Sequence, residues 1–209
     1  MKKFISIIFV VSGFFLYGSS LFAFSISYGI PSSHSLDGFV YDEVNGSYGK
    51  QSYGNAASKP NGYFLSVLSD YDLGFGIDSY TTKFKTGECG GCWASRYNAG
   101  LKTTMTNVFY QLPIRIVNLI VGLGTGTTEY DCTVCSTYYE KGPATQWFTS
   151  VGMSFFSSFD IHLSYRSISA KNIKNKSTNK KDDNSGNVTG IGLAYNFSGS
   201  EDEDYYDEE

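Results

Sequence analysis

Bulky apolar residues alternate with small or polar ones near both ends of the chain. Phe24, Ile26, Tyr28 and Ile30 interleave with Ser25, Ser27 and Gly29, and Ile191, Leu193, Tyr195 and Phe197 interleave with Gly192, Ala194 and Asn196. A period of two is strand geometry, because successive side chains leave opposite faces of a sheet. The same period predicts further strands over residues 62–69, 73–84, 97–112, 119–130, 145–156 and 161–170, which with 24–30 and 187–197 makes eight. Leu73, Phe75 and Ile77 stand against Gly74, Gly76 and Asp78; Leu119, Val121 and Leu123 stand against Gly122, Gly124 and Gly126.

The connections alternate in length. Residues 69–72, 113–118 and 157–160 are short, whereas 31–60, 86–95, 131–144 and 171–186 are longer and rich in Gly, Ser, Asn, Lys or Asp. An even number of strands with short turns on one side and long loops on the other predicts an all-β fold: an eight-stranded antiparallel up-and-down transmembrane β-barrel, short turns toward the periplasm. A soluble sandwich or lipocalin-like barrel alternates too, with its large residues inward. The opposite face here is so often Gly, Ser or Thr that the bulky face is assigned to lipid and the small one to a narrow lumen.

The ends of the chain refine this. Lys2 and Lys3, the apolar run from Phe4 to Leu16 and the small residue Ala23 form the three regions of a secretory signal peptide over 1–23, with the barrel over 24–197 and an acidic, disordered periplasmic tail over 198–209. Past Ala23 no apolar run reaches the roughly 18 residues a spanning helix needs. Hydrophobic residues at 41%, charged residues at only 17% and aromatics at 17%, with 23 Gly, 17 Tyr and 16 Phe, suit a barrel with aromatic girdles. The net charge of −4 hides a split: Glu201 to Glu209 is acidic, while Lys171, Lys174, Lys176, Lys180 and Lys181 make the loop before the last strand basic. That Lys/Asn/Ser composition predicts a solvated, mobile loop with charge suited to lipopolysaccharide phosphates. Exported and without interleaved basic and aromatic residues on a compact face, the chain is not expected to bind nucleic acid.

The closing strand resembles that of small eight-stranded bacterial outer-membrane barrels, the group that includes the OmpA transmembrane domain, OmpX and OmpW-like proteins. Gly192, Tyr195 and Phe197 stand in the pattern of its assembly signal. The resemblance implies a monomer in the outer membrane of a diderm bacterium, inserted by the outer-membrane assembly machinery and in contact with outer-membrane lipid and lipopolysaccharide. Its expected role is non-enzymatic, structural or in surface interaction through the loops, without a cofactor; the resemblance to OmpW-like proteins also leaves open passage of small or hydrophobic solutes.

Three sets of residues could carry chemistry. Cys89, Cys92, Cys132 and Cys135 form two C-x-x-C pairs in neighbouring long loops; in an oxidising compartment they read as two disulfides, inter-loop pairing being favoured, with a four-sulfur metal site as the alternative. His162 and Ser164 share a strand face, and His-x-Ser invites comparison with lipid A deacylases of the PagL kind. Those enzymes turn the pair toward lipid and follow the serine with Asn, whereas Tyr165 follows here. Asp78, Lys102 and Arg166 fall on the expected lumen side and predict an ion-pair network plugging the core.

Overall fold

The computed structural model describes residues 24–44, 47–85, 99–112, 114, 117–156 and 158–197. The proposed signal peptide and acidic tail lie outside the described residues. Eight long strands close into an antiparallel barrel: β1 (Phe24–Leu36), β4 (Asn61–Ser69), β5 (Leu73–Lys83), β6 (Gly100–Leu112), β7 (Asn118–Asp131), β8 (Gly142–Phe156), β9 (Phe159–Ser169) and β12 (Gly186–Phe197). Each pairs with its neighbour in sequence, and β12 closes on β1. β1 and β8 run longer than the sequence pattern alone marks them, since ladder pairing continues past the point where alternation fades, whereas β5 ends at Lys83 and β6 begins only at Gly100.

Four shorter strands belong to the long-loop end. A hairpin of β2 (Phe39–Val44) and β3 (Ser47–Ser52) rises from the first loop, and β10 (Ile173–Lys174) pairs with β11 (Lys181–Asp182) in the fourth. One helical turn, α1 (Cys135–Tyr138), follows β7.

The faces are as the alternation assigns them. Val121 is 42% and Leu193 57% exposed on the outside of the closed wall, joined there by Ile26, Tyr28, Leu65, Phe75, Leu163 and Tyr195. No described helix is long and apolar enough to cross a membrane; a closed barrel crosses with its strands, because closure satisfies every backbone ladder without an edge. Aromatic rings gather where the first and last strands meet near the short-turn end. Phe24 stacks on Phe197 at 4.5 Å, Tyr195 lies 4.6 Å from Phe197 and Phe159 4.9 Å from Tyr195. Tyr195 and Phe197 of the proposed assembly signal therefore clasp the closure, and Gly192 faces Gly29 across the same pair of strands.

The interior departs from a lumen of small residues only. Phe64, Phe109, Phe148, Tyr80 and Met105 all point inward and are buried. They fit because glycine stands beside each ring: a Cβ at Gly74 would enter the Phe109 ring, one at Gly122 the Phe148 ring, and one at Gly190 would crowd Phe64. Small and large inward residues are thus two halves of one packing scheme in a barrel just wide enough for side chains.

Gly122→Leu is expected to lower stability by about 1–3 kcal/mol through overpacking against Phe148, read as a lower urea midpoint in detergent micelles. Gly49→Ala on the β2–β3 hairpin, where a Cβ meets nothing within 4 Å, should leave that midpoint unchanged.

Candidate functional site

The lumen is divided into layers by side chains from β5, β6, β8 and β9. At mid-height Arg166 on β9 reaches across to Asp78 on β5, its Nε donating to Oδ2 at 2.9 Å, with the two side chains 7% and 2% exposed. Gln146 Nε2 donates to the same Asp78 oxygen at 2.7 Å and to Asn107 Oδ1 at 2.6 Å. Arg166 Nη1 donates to Ser164 Oγ at 2.6 Å. Its guanidinium lies 3.5 Å from the Phe64 ring centroid and 5.1 Å from that of Phe148. The pair is thus sandwiched between aromatic faces and hydrogen-bonded on most sides, which is what a buried ion pair requires.

Lys102 does not join it. On β6 the outward positions are Thr104, Thr106, Val108 and Tyr110, and Lys102 continues that series, half exposed and 3.9 Å from Glu129 Oε1. Lys141 meets the other oxygen of Glu129 at 3.1 Å, and Lys83 pairs with Asp131 at 2.9 Å. The sequence expectation is corrected here: these charges sit outside the wall beyond the apolar stretch, where an outward charge costs only about 0–1 kcal/mol near the interface.

Toward the long loops, Tyr80, Met105, Ala144, Ile168 and Val188 form a buried cluster across the bore. A second hydrophobic core lies directly on top. Leu36, Val40, Tyr53, Ala56, Phe84, Leu101, Tyr130, Cys135 and Ile173 come from the wall rims and from three different loops. Tyr53 stacks on Phe84 at 5.3 Å, and its hydroxyl lies 2.7 Å from that of Tyr130 and also bonds Asn184 Oδ1. Tyr130 donates to Asp182 Oδ2 at 2.9 Å, and the Tyr41 amide donates to Asp182 Oδ1 at 2.9 Å.

The fourth loop is the strap that binds this cap. It bonds the first loop through Phe39 N to Asp183 O at 2.8 Å and Asp183 N to Phe39 O at 3.0 Å. It bonds the third through Glu140 N to Lys174 O at 2.9 Å and Lys176 N to Tyr138 O at 2.8 Å. The loop expected to be solvated over 171–181 is exposed through residues 176–181, and its backbone is tied to the cap at its base. Its lysines remain on the surface, but Ile173 is fully buried and Asp182 nearly so.

Cys132 and Cys135 are bonded to each other. This corrects the inter-loop pairing favoured from the sequence for these two: the bond spans three residues within the third loop, and Cys135 packs into the cap core. Their thiolates are accordingly not available to a four-sulfur metal site in this oxidised form. Cys89 and Cys92 lie outside the described residues.

His162 and Ser164 both face the lumen, not lipid, and Ser164 is held by Arg166 and by Gly190 O at 3.4 Å. Below the ion pair, toward the short turns, the bore holds a cavity of about 60 Å³ lined by Ser27, Phe109, Ser150, Asp160, His162 and Arg166 among others. Sequence reasoning passed over Asp160; its signal was its place two residues before His162 on an inward face.

No protein family model matches the sequence, and no curated protein matches it. Among solved structures, the crystal structure of Neisserial surface protein A superposes with a TM-score of 0.52 at 13% identity, over 86% of this chain and 99% of that one. The outer membrane protein AlkL, solved by solid-state NMR in DMPC lipid bilayers, superposes with a TM-score of 0.51 at 14% identity, over 87% and 92%. The fold is that of a small eight-stranded outer-membrane β-barrel. E. coli Outer Membrane Protein W gives a TM-score of 0.46 at 11% identity, covering 87% of this chain and all of its own. With the apolar outer face already described, the outer-membrane barrel spans its membrane by strands, and the cap occupies the long-loop side, which in such barrels is extracellular.

Removing Asp78 strands the Arg166 guanidinium in the bore. Asp78→Ala should cost about 3–5 kcal/mol, measured by urea unfolding of the outer-membrane barrel in micelles. In the cap, burial first and then the neighbouring Asp42 raise the Asp182 carboxyl to about 6 from an ordinary 3.8, against the opposing bonds from Tyr41 and Tyr130. A raised folded value means that the stability this group contributes is fully present below 3.8 and is lost as pH rises through about 6. Protection of the Tyr41 and Asp183 amides, corrected for intrinsic exchange, should therefore fall across that window, and Asp182→Asn should flatten the fall.

Proposed function

We propose that this outer-membrane barrel is a monomeric, non-enzymatic surface protein that works through its extracellular cap. The observation that carries the reading is the pairing of a side-chain-filled bore with a folded cap whose outer surface displays lysines outside ion-pair distance of a carboxylate, even though the cap loops also carry Asp37, Asp42, Glu43, Glu140, Asp182 and Asp183. Among the described residues, Lys50, Lys171, Lys174, Lys176, Lys180 and Lys181 have no carboxylate partner, whereas the wall lysines Lys83, Lys102 and Lys141 all do. Lys50 sits 4.2 Å from the Phe39 ring centroid and Lys180 5.4 Å from that of Tyr41, so aromatic faces hold cations at the rim. Lysines without a carboxylate partner on a folded surface favour an anionic partner, and lipopolysaccharide phosphates lie within reach of such a surface.

The other readings gain less support. Solute passage needs a continuous path, and the Arg166–Asp78 layer, the Tyr80 and Met105 layer and the cap core stand across it in turn. A lipid-modifying role for His162 and Ser164 needs access to acyl chains, which an inward-facing pair lacks. Insertion by the outer-membrane assembly machinery through Gly192, Tyr195 and Phe197 is part of the same proposal, supported by the aromatic clasp at the closure.

Two measurements test it. Planar bilayers containing the purified barrel should show no single-channel conductance. Binding to vesicles carrying phosphorylated lipopolysaccharide should weaken with salt, as screened charge attraction does, and should fall at least several-fold when Lys174, Lys176, Lys180 and Lys181 are together changed to Glu. Steady conductance, or binding indifferent to that reversal, would remove the proposal.

A further inference from the structure

Inward side chains change character from one end of the bore to the other. Near the short turns Ser25, Ser27, Ser66, Gln111, Asn118 and Asn196 are partly exposed, whereas from mid-height upward Asn107, Met105, Tyr80 and Val188 are buried. The cavity therefore opens toward the periplasmic end and is closed above by the Arg166 layer.

With the His162 imidazole neutral, charge inside this chamber, which Asp78, Asp160, His162 and Arg166 line, does not balance. Asp78 is neutralised by Arg166. Asp160, 4% exposed, accepts hydrogen bonds at Oδ2 from Asn118 Nδ2 at 2.8 Å and Asn196 Nδ2 at 3.0 Å, but neither is a cation. Its Oδ1 is buried without a hydrogen-bond partner, and so is Nδ1 of His162, itself 9% exposed. His162 lies flat against Gly152, where a Cβ would collide with the imidazole, so its position is set by the wall. A buried carboxylate held by two amides and left one oxygen short is an acceptor aimed at a cation, since burying such a charge without compensation is costly.

We propose that this periplasm-facing chamber is a binding site for a small organic cation of the alkylammonium class, with Asp160 as its counter-ion. The ammonium group donates to Asp160 Oδ1, and the alkyl part lies toward the Phe109 and Phe148 rings, which supply apolar contact surface. A cavity of about 60 Å³ takes roughly four to six water-sized atoms at about 10–15 Å³ each, so the occupant is small. A metal cage is disfavoured, because no group of three or more His, Cys, Asp or Glu side chains converges among the described residues. The site is independent of the cap, and it does not require a conducting pore.

The test uses the full barrel refolded in micelles, titrated at constant ionic strength with ethylammonium chloride, ethanol as its neutral counterpart, or zinc chloride, while amide shifts of Ser27, Asp160 and His162 are followed. Saturable shifts with ethylammonium and none with ethanol are expected. Asp160→Asn should weaken binding by about tenfold or more, the weight of one charge-assisted hydrogen bond. Ser27→Leu, which obstructs the chamber without altering Asp160, should weaken it likewise should the Asn variant fail to fold. Equal responses to ethanol, saturation by zinc alone, no saturable shift, or undiminished binding in a folded variant would overturn the assignment.

Discussion

An eight-stranded wall encloses barely enough room for its own side chains, and the rest of this molecule follows from how that room is filled. Each large inward ring requires an absence beside it, supplied by Gly74, Gly122, Gly152 and Gly190. The rings in turn create the apolar walls between which a single arginine can be buried. Arg166 is held by Asp78, by Ser164 and by two phenyl faces at once. A buried ion pair is weak evidence of net stability by itself; here its effect is to set height and orientation, separating a sealed upper bore from a chamber below.

The long-loop end has a different logic. A barrel rim would normally leave loops to solvent, but here the loops bring enough apolar surface to form a core of their own. Val40, Tyr53, Ala56, Cys135 and Ile173 come from segments far apart in sequence and pack onto Leu36, Leu101 and Tyr130 at the strand ends. Backbone bonds from the fourth loop to the first and third give that core its ties. The consequence is a surface whose lysines are displayed on a folded framework of packed loops.

The outer-membrane barrel thus divides into three regions along one axis. A cap of packed loops stands at the long-loop end, apolar and ion-paired layers occupy the middle, and a small polar cavity lies toward the short turns.

Strand number, facing and the order of short and long connections were legible because a period of two is a local property, readable from neighbouring residues. Arg166 and Asp78 were placed inward on the same grounds, whereas the same alternation continued through Val108 and Tyr110 puts Lys102 outside. What the sequence could not determine is which distant residues meet. Cys132 closing on Cys135, Tyr53 reaching Tyr130 and Asn184, and a lysine-rich loop becoming a strap depend on packing between segments as far apart as Tyr41 and Asp182, 141 residues, or farther. Only tertiary structure decides such pairings, because many partners satisfy the same local pattern and three-dimensional closure admits one set.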